Sequence, residues 1–420
     1  MGDMLANAAL AKPTRSQKWA QNRFFSETPE EAAGRLLMIG WEGRDSGEIR
    51  DLIDEFRPGG LIFFRRNYPL GRPAVPSAFW PEPQDDDDDD EPWGYQRPGP
   101  QEAEFWEKQG LGPQEEDLWE RKPAAQLPRR AADLDILAPG YLREILVMIQ
   151  KYALRTLDRP LIIAVDQEGG KVSRLPESFF QLPSAREMSM LELERVKLLG
   201  ARAGRELRSS GFNLNLAPVL DLDWPEGGYI GNRSFGSDPA QVISYAQAFQ
   251  EGLWAGGVLS CGKHFPGLGG ATLDPHERAP EIGWDQGELA RSLKVFQALV
   301  EAGLPAVMTT HAYYPALDPN ELATLSAPIV SVLRQEMGFE GLLLTDDLEM
   351  GAVIGSMEPG RVAVRAVLAG HDLVLVCRHH QVIREAYEAL LEAINKNRIS
   401  YGHLLESGVR LQRFLKLLSD

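Results

Sequence analysis

Cysteine is almost missing from this chain: there are two in 420 residues, Cys261 and Cys377. Both lie in apolar, strand-like runs, so they read as buried free thiols and exclude a disulfide framework. No apolar run approaches the ~20 residues needed to cross a bilayer. Residues 1–25 lack the apolar centre of a signal peptide. A soluble, cytoplasmic protein with no membrane partner is the expectation. Positive charge is also in deficit: 44 Lys and Arg face 61 Asp and Glu, a net of −17. A nonspecific nucleic-acid or anionic-membrane binder is a poor fit to that balance. No Gly-x-Gly-x-x-Gly follows the first strand, which weakens a dinucleotide reading. The histidines are scattered, and apart from Asp274 and His276 none has ligand spacing beside a carboxylate, so neither a metal nor another cofactor is expected.

What is present is a regular alternation. Eight apolar runs read as strands: 35–40, 59–64, 161–165, 213–221, 257–262, 306–311, 341–347 and 373–377. Helical stretches fall between them at 46–56, 141–154, 191–209, 240–255, 288–302, 327–337 and 360–369, and two more helices finish the chain. Continuous apolar strands separated by helices imply a parallel sheet covered on both faces. Eight such units imply an α/β fold of (β/α)8 TIM-barrel type, with a doubly wound open sheet as the alternative. The domain reading is an irregular or short-helical arm over 1–30, then one catalytic domain over 31–420.

That domain is interrupted by an acidic, Pro- and Trp-containing insertion at 68–134, after the second strand. Asp85 to Asp90 are six consecutive aspartates. From Trp80 to Glu120, fifteen Asp or Glu stand against Arg97 and Lys108, so this stretch carries 15 − 2 = 13 of the 17 net negative charges. The pattern Trp-x-x-Gln-x-x-Gly-Pro-Gln-Glu starts at Trp93 and recurs at Trp106. Self-repulsion and prolines favour low intrinsic order. The tryptophans suggest docking on the barrel or on a protein partner. A tolerated insertion without function is the alternative.

The densest polar pattern runs from Lys263-His264-Phe265-Pro266-Gly267 through Asp274-Pro275-His276. It follows the apolar run 257–262, so Lys263 and His264 should sit at a strand's C-terminal tip. Asp274 can accept a hydrogen bond from one ring nitrogen of His276, which leaves the other nitrogen free to move a proton. This stretch resembles the signature of family 3 glycoside hydrolases, in particular the bacterial β-N-acetylglucosaminidases of peptidoglycan recycling. Leu268 stands where that subfamily usually has a second histidine, and Pro275 where serine is usual. The resemblance covers about residues 35–67 and 137–400, and independently implies a barrel.

The resemblance also implies roles. Asp346, first Asp of Thr345-Asp346-Asp347, matches the nucleophile of a retaining hydrolase. His276, oriented by Asp274, matches the acid/base. Asp166, Arg174, Arg233, Lys263 and His264 match the positions that hold the sugar. Asp347 reads as a cap for the next helix, and His311 as a pocket-lining or satisfied core histidine. The implied activity is exo-acting removal of terminal N-acetylglucosamine from muropeptides, through a covalent glycosyl-enzyme. A phosphorylase using the same residues is the runner-up, and a catalytically inactive sugar-binding protein is the reading from another class.

Overall fold

Eight short strands close on themselves in chain order: Leu37–Ile39, Gly60–Phe63, Ile162–Val165, Leu214–Asn215, Leu259–Phe265, Ala306–Thr309, Leu342–Asp347 and Leu373–Val376. Every pairing is parallel, and the last strand returns to the first, with Met38 opposite Leu375. The structure, a computed structural model, describes residues 27–41, 46–64, 67, 139–224, 228–353 and 357–418. Residues 1–26 of the expected arm and the 68–134 insertion lie outside the described residues. The architecture is the (β/α)8 barrel that the alternation implied.

Alternation along each strand sorts the side chains. Met38, Ile62, Ile162, Ala164, Leu259, Cys261, Met308, Leu342, Leu344, Leu373 and Leu375 form the apolar cluster inside the barrel. Their neighbours Leu37, Ile39, Leu61, Phe63, Ile163, Val165, Val374 and Val376 pack outward against helices. A strand buried on both faces must be apolar throughout, which is why these runs are continuous. Leu411, Phe414 and Leu415 from the C-terminal helix Tyr401–Leu417, with its C-cap Leu418, join the inner cluster. Arg410 of that helix pairs with Asp372 and Arg413 with Glu340, both just ahead of strands, so this helix plugs the end where strands begin. The opposite, C-terminal end is left for the βα loops, where barrel active sites are built. Cys261 and Cys377 are buried thiols that form no disulfide.

Several expected boundaries move. Arg35 ends the helix Pro29–Arg35, which a Thr28/Glu31 capping box starts, and does not begin a strand. Its guanidinium is buried and satisfied by Glu27 at 2.9 Å, Ser407 at 3.3 Å and the Leu404 carbonyl at 3.1 Å. The stretch 213–221 is strand over Leu214–Asn215 alone. The strand expected over 257–262 is Leu259–Phe265, so Lys263 and His264 lie within it. The helix expected over 327–337 is α-helical over Ala327–Ser331 and then widens to a π turn, Val332–Glu336. Two hairpins outside the barrel, Gln167–Gly169 with Val172–Ser173 and Tyr313–Tyr314 with Asp318–Leu322, had no periodic signal.

Candidate active site

The strand Ile162–Val165 delivers Asp166 to the C-terminal face, and the hairpin after it turns Glu168 back inward. Lys263 Nζ lies 2.6 Å from Asp166 Oδ1 and 2.7 Å from Glu168 Oε1. Arg233 grips Glu168 as a fork, Nε to Oε2 and Nη2 to Oε1, both at 2.9 Å. Burial alone would push the Glu168 carboxyl up, but Lys263 and Arg233 outweigh it and hold it well below the usual range. Burial likewise opposes charge on Lys263, and Asp166 and Glu168 overcome it. Two cations and two carboxylates thus form one mutually neutralising lattice on the barrel rim.

The lattice continues through His264. Arg233 Nη2 is 3.4 Å from His264 Nε2, and His264 Nδ1 is 2.6 Å from Asp221 Oδ2. A carboxylate only accepts, so Nδ1 carries the proton. Asp221 is fully buried and also accepts from the His264 and Leu268 amides at 3.2 and 2.7 Å. Leu268, where the subfamily usually has histidine, therefore gives its amide to the site and its side chain to the apolar core. Gly267 has φ +132°, and a Cβ there would lie 1.9 Å from Ser292 Oγ, so this turn accepts glycine alone. Arg174 reaches this face separately. Its guanidinium lies 5.9 Å from the Phe64 ring centroid, and its Nε is buried with no hydrogen-bond partner among the described residues. An unpaired buried donor costs about 1–3 kcal/mol.

Asp346 and Asp347 end the strand Leu342–Asp347. Burial pushes the Asp346 carboxyl up. His264, His311, the Asp347 amide and Lys263 pull it down by more, leaving it below the usual carboxylate range. Asp346 is thus ionised in a site walled by apolar strands. Asp347 does not cap a helix, because the chain runs on as turns and the next helix begins at Pro359. Its Oδ1 accepts instead from the amides of Glu349 at 3.1 Å and Cys377 at 3.2 Å. Burial, with Glu349 and Asp346 nearby, pushes its carboxyl up to about 7. His311 is fully buried, with Nε2 3.1 Å from the Asp347 carbonyl and Nδ1 2.8 Å from Thr324 Oγ1. It is a satisfied histidine behind Asp346, and burial lowers its pKa.

Asp274 and His276 sit on the loop after strand Leu259–Phe265. Asp274 Oδ1 accepts from His276 Nδ1 at 2.7 Å and from the His276 amide at 2.8 Å. Nε2 is left for a proton transfer, and the imidazole is 64% exposed. Slight burial raises Asp274, and the bonds from His276 outweigh it and hold the carboxyl low. Two backbone bonds tie this loop to the loop that follows Asp346: Gly351 N–H to His276 O at 2.9 Å and Ala352 N–H to Pro275 O at 3.1 Å. A Cβ on Gly351 would meet the His276 and Glu277 carbonyls at 2.5 Å. Tyr229 touches the loop as well, with its hydroxyl 3.4 Å from His276 Nδ1. Burial pushes that phenol up and Arg233 pulls it down, while Asp274 and Asp346 push it further, to about 12.

Asp166, Arg233, Lys263 and His264 are therefore joined in one network, which Asp346 feels through charge. Asp274 and His276 connect to Asp346 through the backbone, and Arg174 stands apart. Glu168, Asp221 and Tyr229 were not singled out from the sequence. Glu168 had a signal, an acid in Asp166-Gln167-Glu168 directly after a strand, whereas Asp221 and Tyr229 had none. Among the described residues no three His, Cys, Asp or Glu side chains gather in a way that could hold a metal. No helix among them is long and apolar enough to cross a membrane.

The profile described as "Glycosyl hydrolase family 3 N terminal domain" matches residues 140–414. A β-hexosaminidase from Chromobacterium violaceum is 37% identical over 250 residues, covering 57% of this chain and 69% of that protein. One from Vibrio cholerae is 34% identical over 295 residues, covering 66% and 88%. Among solved structures, a family 3 β-N-acetylglucosaminidase from Paenibacillus superposes with a TM-score of 0.74 at 29% identity, over 93% of this chain and 62% of that one. A β-N-acetylhexosaminidase from Beutenbergia cavernae gives 0.67 at 25% identity, over 94% and 99%.

Proposed function

Because the chain belongs to glycosyl hydrolase family 3, we propose that it removes terminal β-linked N-acetylglucosamine by a retaining, two-step hydrolysis. In the first step an Asp346 oxygen attacks the anomeric carbon, while His276 Nε2–H protonates the departing glycosidic oxygen. The Nδ1–H bond to Asp274 orients the ring and stabilises its cationic form. In the second step His276 Nε2 takes a proton from water, which attacks the same carbon and releases Asp346. Lys263, Arg233 and Arg174 supply donors to sugar oxygens, His264 Nε2 steadies the Arg233 guanidinium beside the sugar, and Asp166 accepts from a sugar hydroxyl.

One observation carries this reading. Asp346 stands at a strand tip with its carboxyl held low by His264, His311 and Lys263, and the loop after it is bonded to the loop that presents the Nε2 of His276. A histidine acid/base adds no second negative charge beside the nucleophile. We further propose muropeptides as the natural substrates, on the resemblance of the Lys263-to-His276 stretch to bacterial β-N-acetylglucosaminidases of peptidoglycan recycling.

The test is turnover of a chromogenic β-N-acetylglucosaminide beside the β-glucoside, with and without phosphate. The product anomer is followed by NMR. The reading expects preference for the N-acetyl sugar, a β product first, and no phosphate requirement. An α product first would overturn retention. Strict phosphate dependence, giving a sugar phosphate, would make the protein a phosphorylase.

A further inference from the structure

We propose that Tyr229 is a positioning residue for the acid/base pair, clasping the Asp274–His276 loop so that Nε2 of His276 faces the glycosidic oxygen. This rests on the hydrolytic reading above. The pair needs such a clasp. Its two side chains are 64% and 44% exposed, so packing does little to restrain them. Tyr229 holds the loop at two points. Its amide donates to the Ala271 carbonyl at 3.4 Å, and its hydroxyl lies 3.4 Å from His276 Nδ1. The Nδ1 proton is committed to Asp274 at 2.7 Å, so the phenol oxygen is a second, longer acceptor for it, while the phenol O–H donates to the Asp274 carboxylate. Two acceptors on one N–H restrict rotation of the ring about its Cβ–Cγ bond. The other side of Tyr229 is anchored, since Arg233 lies 5.8 Å from its ring centroid and is locked on Glu168. The phenol therefore connects the rigid sugar-holding lattice to an exposed proton donor. A tyrosine that served packing alone would need its ring and not its oxygen.

Tyr229→Phe keeps the ring beside Arg233 and removes the oxygen, with its bonds to His276, Asp274 and Arg233. The experiment compares kcat/KM of wild type and Tyr229→Phe across β-N-acetylglucosaminides with leaving groups from dinitrophenol to methanol. A good leaving group needs little protonation, and a poor one needs His276 well placed. We expect kcat/KM to fall least for the dinitrophenyl glycoside and about fivefold to tenfold further for the methyl glycoside, the scale of one hydrogen bond. The dependence on leaving-group pKa would steepen accordingly. Equal loss on every substrate, or no loss on any, would overturn the proposal. Tyr229→Leu, which also removes the ring, should add a leaving-group-independent loss. If wild type hydrolyses none of the series, the hydrolytic reading fails. If wild type hydrolyses it and Tyr229→Phe shows no such trend, the clasp alone fails.

Discussion

Glu168→Gln tests the charge lattice most directly. Glu168 is 7% exposed and neutralises two cations, the buried Lys263 at 2.7 Å and the partly buried Arg233 through a fork of two 2.9 Å bonds. Glutamine keeps the volume, removes one acceptor from the fork, and turns an amide N–H₂ toward a cation. Asp166 alone would then face two positive charges. Breaking one partner out of a buried ion pair costs about 3–5 kcal/mol. For the roughly 300 described residues the unfolding entropy is about 0.6 kcal/mol/K, so Tm should fall by about 5 °C or more at pH 7. The loss has a definite pH signature. The folded Glu168 carboxyl is held below its unfolded value, so its stabilisation is fully present above the unfolded pKa of ~4.3 and fades as pH falls from there toward the folded value. Thermal unfolding followed by circular dichroism at pH 7 and pH 4 should show a gap between wild type and variant that narrows on acidification. An unchanged Tm at pH 7 would refute the lattice, as would a gap that widens in acid. The variant should also lose kcat/KM on an N-acetylglucosaminide, because Arg233 loses its fixed orientation.

Asp346→Asn should keep the fold and weak sugar binding while turnover drops by several orders of magnitude; near-normal turnover would dismiss it as the nucleophile. His276→Ala should slow poor leaving groups by about 10²–10⁴ and activated aryl glycosides far less, with Asp274→Ala a milder copy; a worse Asp274→Ala on every substrate would reverse the roles. Asp347→Asn should stabilise the protein above pH 7. The folded carboxyl is raised to about 7, so its ionisation opposes folding increasingly as pH climbs from ~4, and the advantage should vanish below that, as denaturant titrations at pH 4 and pH 8 would show. Replacing residues 72–132 with a short glycine linker should leave turnover of a neutral chromogenic sugar nearly unchanged and raise kcat/KM for an anionic muropeptide, most at low salt; equal ratios at both salts would rule out charge repulsion by the insertion.

Sequence alone determined the barrel. Strands such as Ile162–Val165 and Leu373–Val376 are buried on both faces, and that requirement writes itself as unbroken apolar runs between amphipathic helices. The positions of Asp166, Asp346 and the Asp274–His276 pair were legible for a related reason, since each follows such a run or has its partner two residues away. What tertiary structure decided depends on contacts that are remote along the chain. Arg35 looked like the start of a strand until Ser407 and Leu404, from the far end, supplied its partners. Lys263 and His264 lie inside their strand because Asp166, Glu168 and Asp221 are there to neutralise or hydrogen-bond them, which no local pattern could show. Asp347 looked like a helix cap, but the amide of Cys377, just past the neighbouring strand, claims its carboxylate. Tyr229 carried no signal at all, because its part at the site is set by a single hydroxyl placed beside a residue 47 positions away. Periodicity reports which face of an element is buried. It does not report what a buried charge will find when the barrel closes.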